Sequence, residues 1–449
     1  MEHLSQDIIV APATPPGGAL SVVRLSGCGS IELTQKIFRS SKGDNTLLQS
    51  RGYTLHYGTI VDSQGRVIDD VMLSLFRTPH SYTSEDSVEI SCHGSRYIVQ
   101  EIINLAIKHG ARIAEHGEFT QRAYLAGRMD LSQAEAVADM IASTSEAAHT
   151  MASTQMRGGY SQRLAELRGE LLKLMTLLEL ELDFSEEDVE FASRETLRQT
   201  IASLQSEVEQ LAESFELGNA IKHGVNVAIV GEPNVGKSTL LNRLLNDDRA
   251  MVSDIAGTTR DLIEEVINIK GIDFRFVDTA GLHTTSDTLE QMGIKRTHQA
   301  ISRADIVIHL IDARCDECHS IETSPKQHTI TVRNKVDLGC SKSDDFEGVS
   351  ISAREDIGID ILLTKLHDTI DTGSLYAGSP IVSNARHYEH LQKALSYLGD
   401  AQAALSNGTP TDLLCEDLRQ VLYHIGSITG EITHNEILHN IFSNFCIGK

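Results

Sequence analysis

The hydrophobic positions along the chain fall into four regimes. Residues 1–120 mix short β-type runs with Gly and Pro turns. Ile8–Val10, Ser21–Leu25, Val71–Leu75 and Val88–Ser91 read as strands, and Tyr97–His109 as a helix. This predicts a compact α+β domain. Over 121–218 the period becomes helical. Leu164, Leu167, Leu171, Leu174 and Leu178 recur at steps of three and four, as do Leu197, Ile201, Leu204, Val208, Leu211 and Phe215. Each set lays one apolar stripe along a helix, the pattern of a bundle core. From 219 to 375 strands and helices alternate. Val225–Val230 is a continuous apolar run, and Arg275–Val277, Ile306–Ile311 and Thr329–Val332 repeat it. Such runs belong to a parallel sheet covered on both faces. Over 376–449 the helical period returns with Tyr388, Leu391, Leu395, Leu398 and Leu405, then a helical segment over 412–424. A helical regime interrupted by an α/β unit predicts an insertion: the chain enters a bundle, leaves to build the α/β domain, and comes back.

The sharpest chemistry follows the first apolar strand of the inserted unit. Gly231-Glu-Pro-Asn234-Val235-Gly236-Lys237-Ser238 is a G-x-x-x-x-G-K-[ST] loop, and a helical run from Thr239 follows it. The glycines let successive backbone N–H groups turn inward on phosphates. Lys237 neutralises β/γ-phosphate charge, and the Ser238 hydroxyl ligates Mg²⁺. The loop does not choose between ATP and GTP; two later segments do. In Asn334-Lys335-Val336-Asp337 the Asp337 carboxylate can accept from both the ring N–H and the exocyclic amine of guanine. Ser352-Ala353-Arg354 follows the run 349–351 and brings backbone toward the guanine carbonyl oxygen.

Asp278-Thr279-Ala280-Gly281 places Asp278 to hold Mg²⁺ through water and the Gly281 N–H to face the γ-phosphate. Thr259, in the run Gly257-Thr258-Thr259, completes the Mg²⁺ shell only while the γ-phosphate is present, which makes a GTP-dependent switch. After Gly281 stands Leu282, where small GTPases carry a Gln that orients the attacking water. Leucine cannot polarise water. Either hydrolysis is slow and externally stimulated, or another group serves. Glu290 lies just downstream, and a solvated loop carboxylate is its default reading.

Taken with segments outside the GTPase motifs, the chain resembles the MnmE (TrmE) family of tRNA-modification GTPases over essentially its full length. The resemblance is carried by Asp7-Ile-Ile-Val-Ala-Pro-Ala-Thr-Pro-Pro-Gly, Val23-Arg24-Leu25-Ser26-Gly27 and Ser81-Tyr-Thr-Ser-Glu85-Asp86. It continues in Gly117-Glu-Phe-Thr-Gln-Arg122-Ala-Tyr-Leu-Ala-Gly127-Arg128-Met-Asp130, Gln133-Ala-Glu-Ala-Val137, the acidic 183–188 and the terminal Phe445-Cys446-Ile447-Gly448-Lys449. It implies an N-terminal α+β domain that binds tetrahydrofolate and forms a homodimer, a helical domain, and an inserted P-loop GTPase domain.

The resemblance also implies a reaction. With an FAD-containing partner, MnmG, in an expected heterotetramer, the family adds an aminomethyl or carboxymethylaminomethyl group at C5 of the wobble uridine of certain tRNAs. The one-carbon unit comes from 5-formyl- or 5,10-methylene-tetrahydrofolate. Arg24, Glu85, Arg128 and Lys449 match the folate-contacting positions, with Arg128 where the family usually has Lys. The loop Ser253-Asp254-Ile255-Ala256-Gly257-Thr258 matches nucleotide-contacting positions, and Asn234, Ser253, Ile255 and Thr258 match ligands of an activating K⁺ bound as the GTPase domains dimerise. Glu290 matches the water-positioning glutamate, and Cys446 a cysteine thought to matter for modification. A regulatory GTPase switch, for instance in ribosome assembly, is the alternative; it would need neither the N-terminal domain nor the 446–449 tail.

Charge and cysteine usage refine this picture. The chain carries 39 Lys+Arg against 63 Asp+Glu, a net charge of −24. That disfavours a charge-driven nucleic-acid binder. Residues 161–217 alone hold 5 Lys+Arg and 14 Asp+Glu, so tRNA is expected to bind only weakly to this chain by itself. No stretch approaches the ~18 apolar residues of a membrane span, and the first residues lack the basic-then-apolar form of a signal peptide. Seven scattered Cys suit a reduced, cytoplasmic protein. Cys315-Asp-Glu-Cys318-His319 matches a haem-attachment pattern that requires export, so a solvated loop is the expectation there. The segment 312–334 is short, which suggests a truncated peripheral helix.

Overall fold

The computed structural model describes residues 7–41, 43, 46–183, 193–246, 251–252, 264–277, 300–315, 324–325, 327–339, 346–370, 373, 379–432 and 435–448. The chain forms two compact units, Met1–Ala138 with Gly426–Lys449, and Asp139–Ile425.

The first unit is built on seven strands: β1 Ile8–Pro12, β2 Leu20–Ser26, β3 Phe38–Ser40, β4 Thr54–Val61, β5 Val67–Phe76, β6 Ser87–His93 and β7 Ala111–Ile113. Their spatial order is β3-β4-β5-β6-β2-β1-β7, antiparallel throughout except for β1 against β7. The period of two sends Val10, Val23, Leu25, Leu73 and Ile90 to one face, where they share a core with Ile31 and Ile37 of helix Ser30–Ile37 and Ile102 of helix Arg96–Lys108. The alternate positions face the other way. Ile9 pairs with Ser26, Ala11 with Arg24, and Arg24 with Glu89. On that second face Ile9 and Ala11 pack with Ala114 and Phe119. The sheet thus gathers Arg24, Ser26 and Glu89 on one surface.

This unit reaches past residue 120. Leu131 and Ala134 cluster with Leu438, Phe442 and Phe445, so apolar burial joins helices Leu131–Ala142 and Asn435–Ser443 here, whereas helical period alone groups them with the bundle.

In the second unit the predicted stripes are core. Leu164, Leu167, Leu171, Leu174 and Leu178 are buried on helix Gly159–Asp183, and Leu197, Ile201, Leu204, Val208 and Leu211 on helix Arg194–His223. Each such burial contributes about 2 kcal/mol. Phe215 stacks on Tyr388 of helix Ala385–Asn407, ring centroids 4.4 Å apart. The α/β domain leaves and rejoins this bundle at one place. Its first strand starts at Val225, one residue past the helix Arg194–His223, and the returning chain docks on the same helix: the Val382 N–H donates to Ser214 Oγ at 3.0 Å. Gly218 lies so close to the Val382 carbonyl that a Cβ would collide with it.

The inserted domain has strands β8 Val225–Val230, β9 Met251–Val252, β10 Glu264–Ile269, β11 Ile272–Val277, β12 Ile306–Asp312, β13 His328–Asn334 and β14 Val349–Ser350. Their order is β14-β13-β12-β8-β11-β10-β9, parallel from β14 to β11 and antiparallel over β11-β10-β9. Both faces are covered: Val227 and Ile229 enter one core, Ala228 and Val230 another. The antiparallel edge departs from a strict strand–helix alternation. Lys270 and Gly271 both take positive φ, 49° and 86°, in a two-residue hairpin turn. Among the described residues, no helix is long and apolar enough to cross a membrane.

Candidate functional site

The phosphate loop links β8 to helix Lys237–Leu245. Gly231 (φ 157°) sits against the Leu310 carbonyl, and Gly236 (φ 103°) against the Asn334 side chain, so neither position has room for a Cβ. At the crown, Asn234 is left-handed (φ 65°) and exposed. Leu240 N–H to Gly236 O, 2.9 Å, starts the helical ladder, so the positive end of the helix dipole opens at Lys237, Ser238 and Thr239. Ser238 and Thr239 are exposed. The Lys237 ammonium lies along the loop and donates to the carbonyls of Gly231 and Glu232, both at 2.9 Å.

One side chain ties this loop to the base-side segments. Asn334, at the end of β13 and 2% exposed, donates from Nδ2 to the Val235 carbonyl at 2.8 Å and accepts the Ala353 N–H on Oδ1 at 3.0 Å. Lys335 (φ 69°) donates to the Asn234 carbonyl at 2.6 Å and to Asp312 at 2.9 Å. Hydrogen bonds from Arg314, then from Lys335, hold the Asp312 carboxyl far below the usual carboxylate range. Asp337 follows on the turn Val336–Leu338 with its side chain exposed. Buried Ser352 pairs with Ile357 in an isolated bridge that closes the 352–357 loop. Arg354 extends outward, and Arg243 from the phosphate-loop helix forks onto Asp356 of the same loop. Phosphate-side donors and a base-side carboxylate thus stand on one rigid frame, the arrangement of a purine-nucleotide site.

A second group lies in the first unit. Arg24 pairs with Glu89 (2.8 Å) and lies over the rings of Tyr82 and Phe119, 5.4 and 5.6 Å from their centroids. Glu85 accepts from Ser26 Oγ at 2.8 Å and from Arg122 at 3.1 Å. Burial pushes the Tyr82 phenol up. A hydrogen bond to Thr120 and the charges of Arg24 and Arg128 oppose that. The C-terminal tail closes onto this surface: His116 bridges Ile447, His116 Nδ1 meets the Phe445 carbonyl at 2.8 Å, and Arg24 donates to the Gly448 carbonyl at 3.5 Å. Cys446 is exposed.

Two family models match the chain. "GTP-binding protein TrmE N-terminus" covers residues 8–128 and "MnmE helical domain" residues 131–446. The tRNA modification GTPase MnmE of Bacteroides fragilis is 47% identical over 466 residues, covering 99% of this chain and 100% of the relative. That of Flavobacterium johnsoniae is 46% identical over 469 residues, with the same coverage. The chain belongs to the MnmE family.

Of the site residues expected from sequence, the structure brings Asn234, Val235, Gly236, Lys237, Ser238, Thr239, Asn334, Lys335, Asp337, Ser352 and Ala353 together around the phosphate loop and the Asn334 side chain, and Arg354 points outward from the same base-side loop. Separately, in the first unit, Arg24 meets the Gly448 carbonyl of the tail before Lys449, and Glu85 is held by Ser26 on the same sheet face. Ser253, Asp254, Ile255, Ala256, Gly257, Thr258, Thr259, Asp278, Thr279, Ala280, Gly281, Glu290 and Lys449 lie outside the described residues, as does Cys318. Sequence reading assigned no role to Asp312, Arg314, Arg243, Asp356 or Arg122. Arg122 stands inside a quoted motif beside its partner Glu118, but its other partners, Asp7 and Glu85, come from distant parts of the chain.

Proposed function

We propose that this protein hydrolyses GTP and, with an FAD-dependent MnmG-type partner, uses it to drive modification of the wobble uridine of tRNA. The added group is aminomethyl or carboxymethylaminomethyl at C5. The observation that supports this most is the Asn334 amide, which locks the phosphate loop and the base-side loop together beside an exposed Asp337. An acceptor carboxylate there selects guanine, because adenine offers no matching donor pair. The tRNA target rests on membership in a family whose relatives are named tRNA modification GTPases.

The residues present suit the groups this function needs. Ser238 offers an exposed hydroxyl on the first turn of its helix, a hard oxygen donor fit for Mg²⁺. Thr259 would join it. Asn234, with Ser253, Ile255 and Thr258, would hold K⁺, and Glu290 would position water for attack as the GTPase domains of a homodimer close. In the first unit a cation, two aromatic rings and a partly exposed carboxylate suit a folate, which has an acidic tail and an N–H-rich ring. Arg24, Glu85, Arg128 and Lys449 would bind it. When bound, tetrahydrofolate would supply the one-carbon unit, and Cys446 is exposed on the tail two residues before Gly448, whose carbonyl meets Arg24.

Nucleoside analysis of bulk tRNA from a deletion strain tests the reading. Loss of the C5 substituent at the wobble uridine, restored by the wild-type chain and not by a Lys237→Ala variant, is expected. Intact modification in the deletion strain would favour a regulatory switch without base chemistry.

A further inference from the structure

The phosphate-loop helix Lys237–Leu245 and the base-side 352–357 loop come from separate parts of the chain. The helix is fixed along one face: Leu240, Leu241 and Leu244 share a core with Ile351, Ala353 and Ile359 at the ends of the loop. The root of the loop is closed. The Ser352 N–H donates to the Ile357 carbonyl at 2.9 Å, and the Ile357 N–H donates back at 3.2 Å. Asn334 then holds the inner side of the loop through the Ala353 N–H, at 3.0 Å. Arg354 and Glu355 project outward, and meet each other at 3.8 Å. Asp356 takes a left-handed backbone, φ 61°, which Asp tolerates better than most side chains but still at a cost. Arg243 meets it there. Its Nε donates to Asp356 Oδ1 at 2.7 Å and its Nη2 to Oδ2, a two-point fork. Arg243 lies about 7.5 Å past Ser238 along the helix axis. One rigid helix therefore presents its first-turn donors to the phosphate side and grips the outer side of the base-side loop farther along.

We propose that Arg243 is a positioning residue of this site: its fork on Asp356 holds the base-side loop against the phosphate-loop helix, and so slows the release of bound guanine nucleotide. The proposal rests on the reading of this site as a GTP site. Asn334 secures the inner side of the loop and Arg243 the outer. For the base to leave, the backbone beside it has to give way, and the fork resists that movement. It acts alike on GDP and GTP, because other residues read the base and the phosphates. The Arg243 and Asp356 side chains are 35% and 41% exposed. Water and salt therefore screen the pair, and its effect is a few-fold rather than orders of magnitude.

The test is stopped-flow release of a fluorescent methylanthraniloyl GDP from the full-length protein in the presence of Mg²⁺. Arg243→Ala should release it about threefold faster than wild type in dilute NaCl, the scale of an exposed ion pair. The gap should close at about 1 M NaCl, where screening shortens to about 3 Å. Asp356→Asn should match Arg243→Ala, and the double variant should be no faster than either single one. Arg243→Lys keeps the charge without the planar fork and should fall between. Single-turnover cleavage of pre-bound GTP should keep the wild-type rate. Equal release from wild type and Arg243→Ala in dilute salt, or additive effects in the double variant, overturns the proposal. So does a gap that persists unchanged in high salt, which marks a packing effect of the side chain. Should Arg243→Ala lower the melting temperature of the free protein, Asp356→Asn and Asp356→Gly decide instead, since Gly suits the left-handed turn; release as slow as wild type from both is equally fatal. Failure of wild type to bind guanine nucleotide would instead remove the GTP reading itself.

Discussion

Among single side chains, Asp337 is the one to which the proposed GTP site gives the choice of base. It is exposed, and its backbone is pinned through Val336 N–H to the Ile351 carbonyl at 3.3 Å. Asp337→Asn replaces one acceptor with a donor while keeping the shape. GTP affinity should fall at least about tenfold and xanthosine triphosphate should gain, because xanthine carries an oxygen where guanine carries the amine. Competition binding with the two nucleotides reads this directly; an unchanged GTP preference would remove the guanine assignment. The residues of the phosphate loop were legible because their chemistry is contiguous. Asn334 was legible as part of a tetrapeptide, but not as the strut to Val235, which lies 99 positions earlier. The grip of Lys335 on Asp312, and of Arg122 on Glu85, depends in the same way on strands and turns that only folding brings together.

For secondary-structure elements, legibility followed the alternation of apolar residues. β5 was visible because Val71, Leu73 and Leu75 are buried and Asp70 and Met72 exposed. β4 was missed because its pattern is inverted: Leu55 and Tyr57 face out, while Gly58 packs inward against the Phe38 ring, which leaves no space for a Cβ. The C-terminal helices read correctly from their stripes, yet the stripe says nothing of the polar contact between them. His390 and His424 meet there, Nδ1 to Nδ1, at 3.1 Å. Burial, then Arg386, His424 and Lys393, push His390 down to about 4 from its ordinary 6.5, with Glu389 opposing. Burial and Lys393 lower His424 as well. The folded state therefore resists protons that the unfolded chain accepts. Stability should decline as pH falls from about 6.5 toward 4. Thermal melts across that range should show His390→Asn with a shallower decline than wild type; parallel curves would mean the pair does not set the slope.

On the scale of the whole molecule, two consequences follow from combining an acidic chain with a GTPase domain that lacks a water-orienting Gln. The first concerns ions. If K⁺ at Asn234 supplies the missing positive charge as two GTPase domains close, exchanging KCl for NaCl at equal ionic strength should collapse GTP turnover and leave GTP affinity nearly unchanged. Equal rates in the two salts would remove the K⁺ role. The second concerns tRNA. Two of the longest helices, Gly159–Asp183 and Arg194–His223, carry ten Asp and Glu against six Lys and Arg, within the acidic run centred on 161–217. Those surfaces repel phosphates, and with a net charge of −24 the chain has little to exchange for condensed counterions. The isolated protein should bind unmodified tRNA weakly, with a shallow dependence on salt, and the proposed MnmG-type partner should then supply most of the phosphate contacts. Filter binding at low and physiological KCl, with and without the partner, separates the cases. A tight complex from this chain alone, losing roughly a thousandfold in affinity over that salt range, would place the phosphate-contacting surface here after all.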